Sequence, residues 1–325
     1  FLFEACNIIR GPVSQDNFKD YITPLLYYKR ISDVYDEEVE EALIASNGDE
    51  EYASLPEQHR FVIPDGCHWQ DIRERSENLG SAIVEAMRKI EIANPDTLYG
   101  VLSIFSAQKW TDKKVLSDER IRNLIEHLSK RRLGNKDYPA DLMGDAYEVL
   151  LKKFADDSKA QAGEFYTPRA VRILDPQPGE TVYDPACGSG GMLIEAIRYM
   201  HSDDLCCGSI FGQEKNVVNA AIAKMNLFLH GASDFNIMQG DTLRNPKILQ
   251  NDALARFDCV IANPPFSLEK WGAKEWSTDK YGRNLWGTPS DSCGDYAWIQ
   301  HMVCSMSFGK GRMAVVMPQG VLFRG

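Results

Sequence analysis

The feature that most constrains the fold is an alternation of short apolar segments with longer helical segments after residue 155. Each apolar segment has the length of a buried strand and stops at a glycine, an acid or an asparagine. Strands that alternate with helices in this way form a mostly parallel, doubly wound sheet. We therefore predict a Rossmann-like α/β domain whose functional crevice lies at the carboxyl ends of its strands.

The first half of the chain has a different pattern. Its apolar residues recur at helical spacing, as in QDNFKDYITPLLYYKRISDVYDEEVEEAL, and no stretch shows the alternation of a half-buried strand. Pro24 should start or kink a helix, while Ser117 and Gly134 are expected to cap a later one. The sequence therefore predicts an all-α N-terminal domain at 1–155 and an α/β domain at 156–325.

Charge and cysteine content restrict the compartment and the partners. The formal net charge is -11, whereas a protein that binds nucleic acid alone is expected to be basic, since phosphate contacts supply most non-specific affinity. The eight cysteines include no C-x-x-C pair, which is typical of reduced thiols in a cytoplasmic protein and predicts no metal site. No apolar run is long enough to cross a bilayer. If the chain acts on DNA, we expect another subunit to supply much of the binding.

A glycine-rich loop, DPACGSGG at 184–191, follows the first predicted strand of the second domain. Gly188, Gly190 and Gly191 permit a tight turn and the close approach of a ligand. The segment has neither the Gly-Lys-Ser/Thr of a P-loop nor the dinucleotide motif G-x-G-x-x-G. By itself, the loop is also compatible with a tight turn from a strand into a helix.

The next two predicted strands end near acids, Glu214 and Asp241. A carboxylate at the first position can accept both hydroxyls of a ribose, and one at the second can accept an adenine amino group. Each acid also has a simpler interpretation, Glu214 as a charge favoured at a helix N-terminus and Asp241 as a turn cap. Together with Asp184, they place acids at three successive strand ends beside a glycine loop, which is more specific than any one of them.

A further strand ends abruptly at the tetrapeptide Asn263-Pro264-Pro265-Phe266. Proline cannot donate to a strand ladder, so the strand must stop, and Asn263 Oδ1 and the Pro264 carbonyl are expected to remain free acceptors. Two acceptors suit an amino group with two protons, and Phe266 offers a stacking face for a planar base. The tetrapeptide alone fits adenine N6, cytosine N4 or a glutamine amide, and its simplest interpretation is a rigid turn.

The order of these motifs, with the glycine loop before Asn-Pro-Pro-aromatic, resembles the amino-methyltransferases of DNA that use S-adenosylmethionine. The segment GEFYTPRAV is similar to the motif of these enzymes that closes over the methionine end of the cofactor. The segments NFKDYITPLLYYKRISDVYDEE, LEKWG, YGRNLWG and DYAWIQHM are similar to the modification subunit of type I restriction-modification systems. The resemblance covers nearly the whole chain and implies N6-methylation of a flipped adenine in DNA. It also implies that 156–325 is the catalytic domain and that 1–155 serves assembly or closure over DNA. The chain starts without Met and ends at VLFRG, so trimming at both ends is expected. Since this family continues beyond the position of Gly325 into a helical tail, a C-terminal truncation is expected in particular.

The resemblance also implies roles for individual residues and partners. Asn263, Pro264, Pro265 and Phe266 would hold the target adenine. The implied partners are DNA, a specificity subunit that reads the target sequence, and a restriction subunit, with no membrane. The cofactor S-adenosylmethionine would be lined by Glu164, Phe165, Tyr166, Thr167, Pro168, Arg169, Asp184, Ala186, Gly188, Ser189, Gly190, Gly191, Glu214, Asp241, Thr242 and Leu243.

Two other functions stay open at this point. A protein glutamine-N5 methyltransferase uses the same tetrapeptide, but it would lack the helical first domain. An inactive assembly subunit that only binds the cofactor would not need an intact Asn263 motif. The basic run SKRRLGNK at 129–136 could contact phosphate, although such a run is more often a solvated helix end.

Overall fold

In a computed structural model, the chain forms two compact units, Phe1–Ala155 and Asp156–Gly325. The structure describes residues 1–14, 17–98, 100–102, 109–138, 149, 167–200, 208–232 and 234–323. None of the helices within these ranges is both long enough and apolar enough to cross a membrane.

The regular elements that the structure describes in the first unit are helices, as its apolar spacing predicts, and they are joined by turns and loops. Its helices are α1 (Leu2–Ile9), α2 (Phe18–Ala45), α3 (Glu50–Ala53), α4 (Trp69–Arg73), α5 (Leu79–Ala93), α6 (Pro95–Leu98) and α7 (Asp118–Ser129). Pro24 lies inside α2 rather than at its start. Ser117 is confirmed as the N-cap of α7, because its side chain accepts a hydrogen bond from the Arg120 amide.

Gly134 is not the C-cap of α7, so that prediction was wrong. The helix ends at Ser129, and Lys130 is the capping residue. Gly134 instead packs against α2, where an added Cβ would overlap the Glu37 carboxylate. That carboxylate also accepts the amides of Asn135, at 2.6 Å, and Lys136, at 3.1 Å. The glycine is therefore required by close packing against a buried acid.

The basic run at 129–136 is engaged by acids of α2. Arg132 Nη2 lies 2.9 Å from Glu40 Oε1, and Lys136 Nζ lies 3.6 Å from Glu40 Oε2 and 3.5 Å from Glu41 Oε1. These exposed pairs contribute little to stability. They do mean that the run carries fewer uncompensated charges than its sequence indicates, which favours the solvated helix end over a phosphate contact.

The second unit is built on a five-stranded parallel sheet of order β3-β2-β1-β6-β7, which confirms the predicted α/β class. Parallel strands pair in this way when helices provide the crossovers. The elements in chain order are α8 (Thr167–Leu174), β1 (Val182–Asp184), α9 (Gly191–Met200), β2 (Ile210–Glu214), α10 (Val217–Leu229), β3 (Phe235–Gln239), the hairpin β4 (Leu249–Gln250) and β5 (Ala253–Leu254), β6 (Cys259–Ala262), α11 (Ala273–Trp276), α12 (Asp295–Cys304) and β7 (Arg312–Val315).

Both faces of the sheet are covered, as a parallel sheet requires. Along β6, Cys259 and Ile261 join the core beneath α8, α9 and α10, whereas Val260 and Ala262 join a second core that includes Met302 of α12. The strand is therefore apolar at every position, because each of its two faces packs against a different core.

The strand order reverses at β1, which pairs with β2 on one side and with β6 on the other. Tyr183 of β1 lies opposite Val260 of β6, so the segments that leave these two strands emerge side by side. In open α/β sheets, ligands bind in the crevice at such a reversal. The glycine loop and the Asn263 tetrapeptide flank this crevice.

Candidate active site

The glycine loop joins β1 to α9 and leaves open space on one side. Gly188 and Gly190 have φ values of +55° and +86°, in the left-handed region that favours glycine. A Cβ at Gly190 would lie 3.5 Å from Cα of Ala223 on α10, so this position serves helix packing. A Cβ at Gly188 would meet nothing within 4 Å. The loop therefore has a backbone surface at Gly188 against which a ligand can lie.

Glu214, at the end of β2, holds the glycine loop in place. Its Oε2 accepts the Gly188 amide at 2.9 Å, and its Oε1 accepts the Asn216 amide at 2.7 Å. Asn216 in turn caps α10 by accepting the amides of Val218 and Asn219. A carboxylate has about four acceptor positions, so each oxygen keeps capacity for a hydroxyl of a bound ribose.

Asp184 ends β1 and is almost completely buried, with 1% of its surface exposed. Burial, with the nearby Glu214 charge adding to it, raises the pKa of this carboxyl to about 8. Its Oδ1 accepts the Ala186 amide at 2.9 Å. At neutral pH this acid is therefore largely protonated, and it orders the backbone at the start of the glycine loop.

The three predicted cofactor residues after β3 differ in what they offer. The Asp241 carboxylate is partly exposed. Its Oδ1 accepts the Arg244 amide at 3.2 Å, which confirms the turn cap, and its Oδ2 lies 2.9 Å from Lys215 Nζ. Thr242 is buried, and its hydroxyl donates to the Pro185 carbonyl at 2.6 Å. The Leu243 side chain is buried in an apolar cluster with Trp271 and Trp276. Asp241 is therefore the one of the three with an accessible polar side chain, while Thr242 ties this loop to the glycine loop.

Strand β6 delivers Asn263 to the crevice. Among the described residues, no group forms a hydrogen bond with the Asn263 side chain, which is half-buried. Pro264 is buried, Pro265 is exposed, and the Phe266 ring is 48% exposed. An amide without a partner and an aromatic face thus lie at the predicted position.

The chain turns sharply after Phe266 and is anchored there. Ser267 has a φ of +52°, and its amide donates to Asp295 Oδ1 at 2.7 Å, at the first residue of α12. Asp295 is 1% exposed. This acid was missed from the sequence as a site residue, although it lies in the segment DYAWIQHM. Only its contact with Ser267, 28 residues away, reveals its role.

Several predicted residues cannot be placed in the site. Glu164, Phe165 and Tyr166 lie outside the described residues. Thr167 and Pro168 begin α8, and Arg169 is exposed on that helix. Ser189 accepts a hydrogen bond from Asn226 through its carbonyl at 3.1 Å, and Gly191 is the first residue of α9. Their contacts with a cofactor stay predictions.

No metal centre is formed by the residues that the structure describes, since no three His, Cys, Asp or Glu side chains are grouped to hold an ion. The groups at the crevice instead fit an adenosyl moiety. The open face at Gly188 suits a ligand that lies along the backbone, and the carboxylates of Glu214 and Asp241 can accept from hydroxyl and amino groups.

This fold and crevice define a class, the S-adenosylmethionine-dependent methyltransferase fold. The chain is similar to a solved putative class I S-adenosylmethionine-dependent methyltransferase from Listeria monocytogenes, with a TM-score of 0.51 and 15% identity, covering 66% of this chain and 64% of that one. The family follows from the sequence. The N-6 DNA Methylase family model matches residues 138–325, more than half of the chain, and the HsdM N-terminal domain model matches residues 1–128. The chain belongs to the N-6 DNA methylase family.

Relatives confirm the resemblance to type I modification subunits. The type I restriction enzyme MjaVIII methylase subunit of Methanocaldococcus jannaschii is 30% identical, over 92% of this chain and 54% of the relative. The crystal structure of a type I restriction-modification methyltransferase subunit from Streptococcus thermophilus has a TM-score of 0.77 and 24% identity, covering 100% of this chain and 75% of that one. The chain spans about half the length of the curated relatives it matches.

Proposed function

We propose that this chain is part of a type I modification subunit that methylates N6 of a flipped adenine in DNA. The observation that carries the proposal is the half-buried Asn263 side chain, which has no hydrogen-bond partner among the described residues and lies at the strand-order reversal beside the glycine loop. Because the amide atoms of Asn263 are open to solvent and not bound by the described residues, a ligand amine can reach them.

The cofactor we propose is S-adenosylmethionine, which supplies an electrophilic methyl group when it is bound. Gly188 would provide the surface beneath the adenosyl group, Glu214 would accept from the ribose hydroxyls, and Asp241 would accept from the adenine amine. The open space at Gly188 and the remaining acceptor capacity of Glu214 support these roles.

The chain's own residues prepare the target nitrogen. The exocyclic amine of adenine is a poor nucleophile, because its lone pair delocalises into the ring. Hydrogen bonds from its two protons to Asn263 Oδ1 and to the Pro264 carbonyl would favour a pyramidal nitrogen with a free lone pair. The site would then act mainly by orientation, which removes an entropic part of the barrier.

Phe266 would stack on the flipped base. Its ring is 48% exposed and follows the two prolines directly. Flipping costs a few kcal/mol, and stacking on an aromatic ring is worth about 1–3 kcal/mol per base. The ring can therefore offset much of the unstacking cost.

Cys259 does not act as a nucleophile in this proposal. It is fully buried in β6, and burial raises the pKa of its thiol to about 12. The thiol is therefore neutral at physiological pH, and the methyl transfer needs no covalent bond to the protein.

We also propose that a specificity subunit supplies sequence recognition and much of the DNA binding, and that a restriction subunit completes the complex. The net charge of -11 and the pairing of the basic run at 129–136 with Glu40 and Glu41 support a second chain at the DNA. The match of residues 1–128 to the HsdM N-terminal domain favours this assignment over a glutamine methyltransferase. The proposed compartment is the cytoplasm.

The test is methylation of duplex DNA by the full chain assembled with its specificity subunit, using labelled S-adenosylmethionine. Asn263→Ala is expected to reduce adenine methylation by about 100-fold or more, the loss typical of removing one hydrogen-bonding group from a transition state. Cofactor binding should change little. Asn219→Ala, on the exposed face of α10, is the matched control.

Two outcomes would contradict the proposal. Unchanged methylation by Asn263→Ala would show that the tetrapeptide does not take part in the reaction. Label that appears in protein glutamine instead of adenine would replace DNA as the substrate.

A further inference from the structure

A buried arginine, Arg283, lies between α11 and α12 and has no role in the site as described so far. Its surface is 1% exposed. A guanidinium carries five N–H donors and no acceptor, and here all five have partners. Nε and Nη2 both donate to Asp279 Oδ1, at 3.1 and 2.6 Å, and Nη2 also donates to the Leu243 carbonyl at 2.9 Å. Nη1 donates to the Thr242 carbonyl at 2.9 Å and to His301 Nδ1 at 3.3 Å.

Burial of this charge is compensated locally. Asp279 neutralises it in an ion pair of 2.6 Å, and the Trp276 ring lies 4.4 Å from the guanidinium carbon. A buried ion pair on its own is weak support for stability, because desolvation offsets the attraction. The guanidinium also binds the backbone directly after Asp241, through the carbonyls of Thr242 and Leu243.

The same arginine determines the state of His301. Because arginine cannot accept, His301 Nδ1 must accept, and its Nε2 then carries the proton that faces the Tyr183 hydroxyl at 3.1 Å. Burial, with the Arg283 charge adding to it, lowers the pKa of His301 to about 3, so the ring is neutral. Tyr183 is the β1 residue directly before Asp184. The network thus reaches the strand that leads into the glycine loop.

A second connection closes the network. The Thr242 hydroxyl donates to the Pro185 carbonyl of the glycine loop, while the Thr242 carbonyl accepts from Arg283. The loop after β3 is therefore held from the glycine loop on one side and from Arg283 on the other. A shift of this loop would move Asp241 relative to Gly188.

We propose that Arg283 is a positioning residue that sets the spacing between the loop after β3 and the glycine loop, and thereby the affinity for S-adenosylmethionine. This role of Arg283 rests on the proposed function, because it requires both loops to contact the cofactor. Arg283 would not contact the cofactor itself. Its loss should raise the dissociation constant and the KM for the cofactor, while kcat at saturating cofactor stays close to that of the wild type.

Arg312 provides a matched control. It also forms a two-point contact with a carboxylate, Glu180, at 2.8 and 2.7 Å, and donates to two backbone carbonyls, those of Leu174 and Asp175. Its position at the start of β7 lies at the amino ends of the strands. A purely structural role for arginine clamps predicts the same outcome for both residues.

The experiment compares Arg283→Lys with Arg312→Lys in the full chain assembled with its specificity subunit. Calorimetric titration with S-adenosylmethionine and with its demethylated product gives the dissociation constants. Lysine keeps the charge but presents three donors in place of the five-donor fork, so Arg283→Lys should weaken cofactor binding about tenfold or more. Arg312→Lys should leave it within about twofold, with a smaller loss of melting temperature because Arg312 is 35% exposed and Arg283 only 1%.

A milder variant keeps the test usable if Arg283→Lys does not fold. Asp279→Asn retains the shape of the ion-pair partner and should weaken cofactor binding by about threefold. Unchanged cofactor affinity in a folded Arg283 variant, or an equal loss in Arg312→Lys, would overturn the inference. A wild-type complex that binds the cofactor but methylates no adenine would contradict the proposed function and leave the Arg283 result standing.

Discussion

The two edges of the parallel sheet carry similar residues in different circumstances. At the amino edge, Glu180 binds Arg312, and Asp258 binds Lys310 at 2.7 Å and the Thr181 amide at 3.1 Å. The hydrogen bonds from Arg312 lower the pKa of Glu180 to about 2. The charged groups of this edge thus satisfy one another.

At the carboxyl edge, the polar groups differ in protonation and in hydrogen bonding. Asp184 has a pKa of about 8, and Gly188 leaves open space beside it. The Asn263 side chain has no hydrogen-bond partner in the described part of the chain. The two edges therefore differ at Asn263, whose amide is open to a ligand, whereas Glu180 and Asp258 are paired within the protein. Variants at one edge are therefore expected to behave differently from matched variants at the other.

The largest effect is expected from filling the open space at the glycine loop. Gly188→Val should weaken S-adenosylmethionine binding by about 100-fold, because the side chain would occupy the ligand surface, and it should cost about 1–2 kcal/mol of stability at a left-handed φ. Calorimetric titration measures the first effect and denaturant unfolding the second. Gly179, with φ +85° and equal open space before β1, is the control. If Gly179→Val weakened binding equally, strain rather than the ligand surface would be the cause.

The next effect concerns stacking. Phe266→Ala should reduce methylation at limiting DNA about tenfold, since stacking contributes about 1–3 kcal/mol per base. Fluorescence of 2-aminopurine placed at the target adenine would report the loss of the flipped state. Phe308, which is 82% exposed in the loop before β7, gives the control variant Phe308→Ala. An equal loss in both variants would show that general surface apolarity, not stacking at the crevice, is responsible.

A third prediction concerns pH. The pKa of Asp184 is raised from its ordinary 3.8 to about 8, so its contribution to stability is complete below pH 4 and is lost as the pH rises through 8. Between pH 5.5 and 7.5 it should lower the unfolding free energy by up to about 1.4 kcal/mol per pH unit. Asp184→Asn should flatten this decline, as measured by denaturant titrations across the range.

At the amino edge, the pKa of Glu180 is shifted in the opposite direction to that of Asp184. The pKa of Glu180 is lowered to about 2, so its contribution is present above its ordinary value of 4.5 and is lost only as the pH falls toward 2. Glu180→Gln should therefore leave the slope between pH 5.5 and 7.5 unchanged. A steep slope that persists in Asp184→Asn would show that another group causes it.

The smallest effect is expected at the amino edge itself. Glu180→Ala removes the partner of Arg312, whose side chain is 35% exposed, so solvent screens much of the loss. The expected cost is about 1 kcal/mol in unfolding free energy at neutral pH. Cofactor affinity and methylation should stay within about twofold of the wild type. A large loss of methylation in Glu180→Ala would show that the amino edge also contributes to activity.

The sequence predicted the strands, the glycine loop and the Asn263 tetrapeptide because these features depend on neighbouring residues. Apolar runs, glycines and prolines have conformational preferences that act locally. The role of Arg283 could not be predicted in this way, since the carbonyls of Thr242 and Leu243 that it holds are about 40 residues away in the chain.

The error at Gly134 has the same origin. A glycine after a helix is typical of a C-cap, but the conformation there is set by the Glu37 carboxylate, which lies on a different helix. The residue type of Thr242 is compatible with a ligand contact. Only the structure shows that its hydroxyl donates a hydrogen bond to the Pro185 carbonyl. Tertiary partners of this kind leave no periodic signal in a sequence.

The hydrogen bonds that Glu214 accepts from Gly188 and Asn216 have a consequence for the rate of ligand exchange. A loop whose amides are already satisfied loses little conformational freedom when a ligand arrives. Association is then limited by diffusion and orientation rather than by a slow rearrangement. In the proposed site, spent cofactor would leave and fresh cofactor would enter without a rearrangement of the backbone at Gly188.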